Sequence, residues 1–515
     1  MNRNHHHFAL ACWLVLLMLP TVASAFSFND VIADAKELAG KSYAPPAAIP
    51  QFLHDLNSEQ YQGIRFKPEN SLWAPSRSLV QVSLVSPGMY YDHPVKLHVI
   101  DAQGVHDVLY DKNNFTFTNQ ELGRRIPADL GYAGFQLTYP DKSAGGRQAM
   151  LEFAGASYFR AIARNQVFGV SARGIAVDTG LPSGEQFPAF REFWLVRPDA
   201  RDPVAVIFAL LDGKNLTGAY RFEVHVGDNT VIDVQAHLFI RNDIAMLGIA
   251  PLTSMFYYGN NTGRPVGQWR PQVHDSDGLL IHNGASGEWL WRPLLNPKTL
   301  KLDYFQTDSM QGFGLLQRQN QFADYADPAA RFQDRPSAWV QPKGDWGKGN
   351  VVLVQLPTNT ETNDNVTSFW TPGHSVKKGE TLQFAYKLTF GNRDIAASPL
   401  GRARDTYVGD GNQTGGGSEA GAYRVIVDFA GGTLDALPPD APVTSTVSVG
   451  GKGKIYEHFV EYLPSVKQWR LSILAKPAEG KPLQLRAFLK NGDNTITETW
   501  SYEVPTDNTI LGGAH

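Results

Sequence analysis

Residues 220–238 read Tyr220-Arg-Phe-Glu-Val-His-Val226, then Gly227-Asp-Asn229, then Val231-Ile-Asp-Val-Gln-Ala-His-Leu238. Tyr220, Phe222, Val224 and Val226 alternate with Arg221, Glu223 and His225, a period of two that puts one apolar and one polar face on an extended strand. Gly227-Asp228-Asn229 supplies the positive φ of a tight turn, so the segment predicts a β-hairpin. Working outward, similar alternation at Ser78 to Leu84, Val95 to Ile100, Phe135 to Tyr139, Val204 to Leu210 and Leu382 to Leu388 predicts a large antiparallel body. Helical periodicity is scarce. The exception is Phe28 to Ala39, where Val31, Ile32, Ala35 and Leu38 recur at helical spacing after Asn29 and Asp30 as caps.

Composition agrees with this reading. Of 515 residues, 43% are hydrophobic and 19% charged, with 46 Lys+Arg against 50 Asp+Glu. That balance excludes a disordered chain and a polybasic nucleic-acid binder, and favours an uncharged partner. The 48 Gly and 32 Pro supply turns for many short strands. The lone Cys12 excludes an intramolecular disulfide and a thiolate zinc cluster. It lies in the apolar run Phe8 to Leu19, behind Arg3 and ahead of Ala23-Ser-Ala25. This pattern is too short to span about 30 Å of hydrocarbon and reads as a signal peptide cleaved after Ala25. An exported, periplasmic protein without a membrane span is expected.

Gly391 to Ala422 is rich in Gly, Ser and Asp, and is expected to be a domain boundary or long loop. Fresh alternation follows at Tyr423 to Phe429, Thr446 to Val449, Trp469 to Leu474, Leu483 to Leu489 and Thr495 to Tyr502. The division expected is a signal peptide over 1–25, a β-sandwich over 26–395 and an immunoglobulin-like sandwich over 396–515.

No His-Glu-x-x-His run and no Gly-x-Ser-x-Gly word occurs, so neither a zinc site nor a serine nucleophile is predicted, and no cofactor is expected. His225 and His237 read as exposed strand residues. Acids set among aromatics are what remains. His274-Asp275-Ser-Asp277-Gly278 is followed by Glu288-Trp289-Leu-Trp291-Arg292. A second concentration runs from Arg335 and Trp339 through Trp346 to Glu361-Thr-Asn-Asp364 and Trp370. Indole and phenol rings stack on sugar C–H faces while carboxylates and guanidiniums bond the hydroxyls. Glycosidic hydrolysis needs one protonated and one ionised carboxyl, and Asp275, Asp277, Glu361 and Asp364 are the candidates. The same words also make ordinary Asx turns, with Asp277 before Gly278 the plainest case. Arg173, Asp178, Glu185 and Glu192 either bind sugar hydroxyls or form an internal ion-pair network.

Taken together these words resemble the periplasmic glucan biosynthesis family over essentially the whole exported chain. The resemblance rests on Phe26-Ser-Phe28, Arg173-Gly174 through Glu185-Gln-Phe-Pro188 to Trp194, His274 to Asp277, Gly312-Phe-Gly-Leu-Leu-Gln317, Arg335-Pro-Ser337, Trp346-Gly-Lys-Gly349 and Glu361 to Trp370. The absence of paired arginines before the apolar run favours the G-type over the D-type branch of that family. The resemblance implies an all-β protein. A large antiparallel, galactose-mutarotase-like β-sandwich would bear a long groove and be joined to a C-terminal immunoglobulin-like β-sandwich. It implies a role in making osmoregulated periplasmic glucans, whose backbone is β-1,2-linked glucose, and an inverting β-1,2-glucanase activity. Carried onto this chain, Asp364 matches the general acid and Asp275 the base acting through a water relay. Glu361, Arg335, Trp289, Trp291, Trp339, Arg173 and Glu185 are then expected to line the sugar subsites.

Two departures stand out. Phe332 occupies a position where relatives often have tyrosine, and Gln186 replaces an acid frequent in the Glu-Glu-Phe-Pro version. Loss of a relay hydroxyl at Phe332 would slow hydrolysis. Two other readings therefore stand beside the hydrolase. One is a non-catalytic glucan-binding scaffold whose C-terminal domain contacts the membrane synthesis machinery; the other is a transglycosylase that branches or remodels the glucan.

Overall fold

The computed structural model describes residues 26–141, 145–391, 395–411 and 417–506. The segment read as a signal peptide lies outside the described residues. The hairpin forms as its alternation requires: strands Leu216–His225 and Thr230–Ile240 pair antiparallel, with Tyr220 opposite Ala236 and His225 opposite Val231. Flanking it are Val204–Asp212 and Ala189–Val196 on one side and Thr381–Gly391 on the other, all within one fifteen-stranded sheet.

A ten-stranded sheet lies face to face with it and includes Gly134–Asp141, Gly146–Ala154, Leu247–Ser254, Gly349–Gln355 and Val366–Pro372. Phe153 of the ten-stranded sheet meets Phe222 of the other at 5.0 Å between ring centroids, so apolar faces from both sheets fill one core. Each fully buried side chain there contributes about 1.5–3 kcal/mol of transfer free energy. Leu247–Ser254 is buried at every residue, which is why it shows no alternation in the sequence.

Helix Phe28–Ala39 covers the outer face of the large sheet, with Val31 and Ala35 buried against Trp194, Phe208, Leu210 and Phe239. Its cap is Ser27 rather than Asn29 or Asp30: the Ser27 backbone N–H donates to Asp30 at 2.7 Å, the reciprocal half of a capping box. The helix also covers His237, whose ring meets Phe28 edge-on at 5.7 Å, so this histidine is half-buried rather than exposed. No helix among the described residues is long and apolar enough to cross a membrane.

The large sheet does not stop at the first core. Strand Trp289–Pro293 pairs in parallel with Thr499–Val504, placing Leu290 opposite Thr499 and Trp291 opposite Trp500, and Leu483–Asn491 and Val443–Val449 extend the sheet further. A four-stranded sheet of Arg402–Asp410, Tyr423–Ala430, Gln468–Lys476 and Lys454–Leu463 closes a second β-sandwich core. The glycine-rich stretch expected as a boundary or loop thus contains a nine-residue strand, because Ala403 and Thr406 anchor it where few anchors were apparent.

Trp289, Trp291 and Trp339 are correspondingly not on a groove. They are 9%, 3% and 5% exposed and belong to the second core, with the Arg318 guanidinium 3.5 Å over the Trp291 ring. Two glycines make room for them. A Cβ on Gly278 would lie 2.4 Å from Trp291, and one on Gly312 would lie 2.2 Å from Trp339. The Gly312-Phe-Gly314 word is thereby a packing motif.

Candidate active site

Asp364 sits in the loop joining strands Gly349–Gln355 and Val366–Pro372, and Asp275 directly follows the short strand Val273–His274. Asn365 brings the two together. Its side chain accepts from the Phe256 backbone N–H at 2.8 Å and donates to the Phe256 carbonyl at 3.0 Å, mimicking a strand partner. Phe256 in turn pairs with His274, and the Asp275 N–H donates to the Met255 carbonyl at 2.8 Å. Both carboxyls are therefore fastened to one short hairpin, Phe256–Tyr258 with Val273–His274.

Asp364 lines a cleft of ≈ 340 Å³ together with Tyr90, Tyr91, Glu152, Tyr158 and Arg160. As a residue it is exposed, because the cleft mouth leaves it open to solvent, yet protein surrounds its carboxyl densely enough for desolvation to dominate. Desolvation raises its pKa above 3.8 against the opposing fields of Arg173, Arg160 and Arg335. Among the described residues its carboxyl accepts no hydrogen bond that would hold it ionised. Glu361 is taken up by Arg270, which donates to it from both terminal nitrogens, at 3.0 Å for Nη1.

Asp275 is 4% exposed and receives a hydrogen bond from Arg335. Burial pushes its pKa up to about 6 despite Arg335, with the charges of Asp364 and Glu361 adding to the rise. The charge of Asp364 thus reaches Asp275. Asp364 lines the cleft, and Asp275 is buried beside Arg335. Phe332 is buried, and the Arg335 guanidinium lies 4.3 Å over its ring face, so an aromatic contact helps to hold the arginine. Gly169 leaves the space that Arg335 fills, since a Cβ there would meet the Arg335 Cβ at 2.9 Å.

Arg173 and Glu185 form the internal network. Arg173 donates to Glu185 at 2.5 Å, to Thr253 at 2.9 Å and to Thr367 at 3.2 Å, while its guanidinium lies 4.8 Å from the Tyr158 ring. It supports the cleft from behind. Asp178 accepts from the Met246 N–H, and Glu192 pairs with His98. Asp277 is not a local turn residue: it accepts from the backbone N–H groups of Arg318 and Gln319, far along the chain.

Several residues were not singled out from the sequence. Tyr90 is 84% exposed at the tip of a tight turn in which Gly88 and Tyr91 exchange backbone hydrogen bonds and Met89 has φ 52°. Trp269, 64% exposed, precedes Arg270, and Phe187, 56% exposed, lies 5.7 Å from the Arg173 guanidinium. These exposed rings, not the buried tryptophans, are available for stacking. Arg160 is held by Glu152 at 2.6 Å on the cleft floor. Consecutive aromatics between Gly88 and Asp92 were the available signal for the turn.

The sequence was also compared with known families. The model of the family described as "Periplasmic glucan biosynthesis protein, MdoG" matches residues 26–504. That span takes in both β-sandwich cores, the cleft and the Asp275–Asp364 pair, so the chain belongs to this family of periplasmic glucan biosynthesis proteins.

Proposed function

We propose that this protein hydrolyses the β-1,2-linked backbone of periplasmic glucans with inversion, Asp364 acting as general acid and Asp275 as base. The supporting observation is one coupled pair in two environments: a cleft-facing carboxyl with a raised pKa and a buried one at about 6. A raised pKa keeps Asp364 protonated closer to neutrality, as an acid that releases the leaving oxygen requires. Asp275, buried beside Arg335, is poorly placed to attack carbon directly, which favours proton withdrawal through water. Arg335 keeps part of Asp275 ionised, and the exposed Tyr90 offers a ring to the sugar.

Purified protein incubated with linear β-1,2-glucan should generate new reducing ends. Asp364→Asn and Asp275→Asn should each lower the rate by about 10²-fold or more. Equal chain shortening by all three proteins would defeat the assignment. Phe332 favours a second reading, a glucan-binding scaffold with little turnover, since the relay lacks a hydroxyl at that position. Phe332→Tyr separates the two: on the hydrolase reading turnover increases, and on the scaffold reading binding persists with no reducing ends from either protein.

A further inference from the structure

The hairpin that carries Asp275 is gripped from outside its own sandwich. Asn260 and Asn261 lie in the connection between strands Phe256–Tyr258 and Val273–His274. The Asn260 amide donates to Asp405 at 2.9 Å, and the Asn261 amide donates to the Tyr502 hydroxyl at 3.1 Å while that hydroxyl donates back to the Asn261 carbonyl at 3.0 Å. Both partners come from the second sandwich. The grip continues inward: Gln272 accepts from the Asn260 N–H at 3.2 Å and contacts His274 at the same distance. His274 immediately precedes Asp275.

A second leg runs in parallel. Gln319 donates to Asp405 at 2.7 Å and its backbone N–H donates to Asp277 at 2.9 Å. Arg318 forms a buried ion pair with Glu498, at 2.9 Å between Nη2 and Oε2. Asn260, Gln272, His274, Asp277, Gln319 and Asp405 surround a polar cavity of ≈ 30 Å³ directly behind the catalytic hairpin. Such a network is costly to leave half satisfied, so it holds its members in one arrangement.

We propose that the second sandwich is a working part of the active site, with Asp405 a positioning residue that sets the Asp275 hairpin through Asn260 and Gln319. This rests on the glucanase reading for its kinetic consequence, not for its structural one. One Asp405 oxygen accepts from both amides at once, and this joins the two legs. The catalytic base would otherwise hang on a two-residue strand, with little ladder of its own. A misplacement of the base by about 1 Å is enough to cost up to 10²-fold in rate.

The test uses the full chain. Asn260→Asp sets a second carboxylate against Asp405, Asn260→Ala removes the contact, and Asp405→Asn keeps an acceptor oxygen in place. On linear β-1,2-glucan, Asn260→Asp should lower kcat by about tenfold or more with KM within about twofold. Asn260→Ala should fall less, and Asp405→Asn should retain near wild-type turnover. Hydrogen exchange over residues 256–275 should rise in Asn260→Asp and Asn260→Ala but not in Asp405→Asn, while exchange over 216–240 stays unchanged in all three. Wild-type kinetics and unchanged exchange in Asn260→Asp would overturn the proposal. If the wild type itself releases no reducing ends, the glucanase reading fails, and the exchange pattern alone decides the positioning role.

Discussion

Asp275 is the residue on which burial acts most directly. Its pKa of about 6 lies above the ordinary 3.8, so between those values the native state keeps a proton that the unfolded chain has released. With more protons bound in the native state, stability falls as pH rises through this window, by about 3 kcal/mol for a shift of two units. Asp275→Asn does not titrate there. Denaturant unfolding at pH 4 and pH 7 should show the variant gaining on the wild type by roughly that amount at the higher pH, and a constant difference would contradict the burial argument. On the proposed glucanase reading Asp275 works ionised, so activity should rise with pH through about 6. On the same reading Asp364 works protonated, and burial, which raises its pKa, favours that form.

The hairpin Phe256–Tyr258 with Val273–His274 has too few ladder bonds to hold the acid and base by itself, and Asn365 supplies the missing edge. Asn365→Ala leaves the Phe256 N–H and the Phe256 and Leu356 carbonyls without their side-chain partner, which should cost about 2–3 kcal/mol in urea unfolding. On the proposed reading activity should fall more than stability explains, because Asp364 is the preceding residue. Strands with one covered face were legible from alternation, as at Leu216–His225 and Leu483–Asn491. Leu247–Ser254 was not, since both its faces are buried, and neither was Arg402–Asp410, whose glycine-rich surroundings hid a few well-spaced anchors. At the site, Asp275 and Asp364 were legible through the words around them. Asn260, Asn365 and Arg270 were not, because their partners are far away in the chain and no local pattern marks them.

Across the whole molecule, one sheet runs through both sandwiches, and the tryptophans that looked like sugar platforms pack in the second core. Trp291→Ala should cost about 3–5 kcal/mol of stability with little change in glucan affinity per folded molecule. Tyr90→Ala should do the reverse, weakening binding by about 1 kcal/mol and leaving the melting temperature unchanged. Calorimetric unfolding and titration with β-1,2-glucan separate the two effects, and a loss of affinity with Trp291→Ala at unchanged stability would return that residue to the groove. In the proposed mechanism an acid and a base, drawn from distant parts of the chain, act on opposite sides of one linkage. Time-resolved proton NMR of the first sugar ends released from linear β-1,2-glucan tests it directly. The wild type should release the α-anomer first and Asp364→Asn should release almost none; a β-anomer appearing first, or equal release by both proteins, would contradict it.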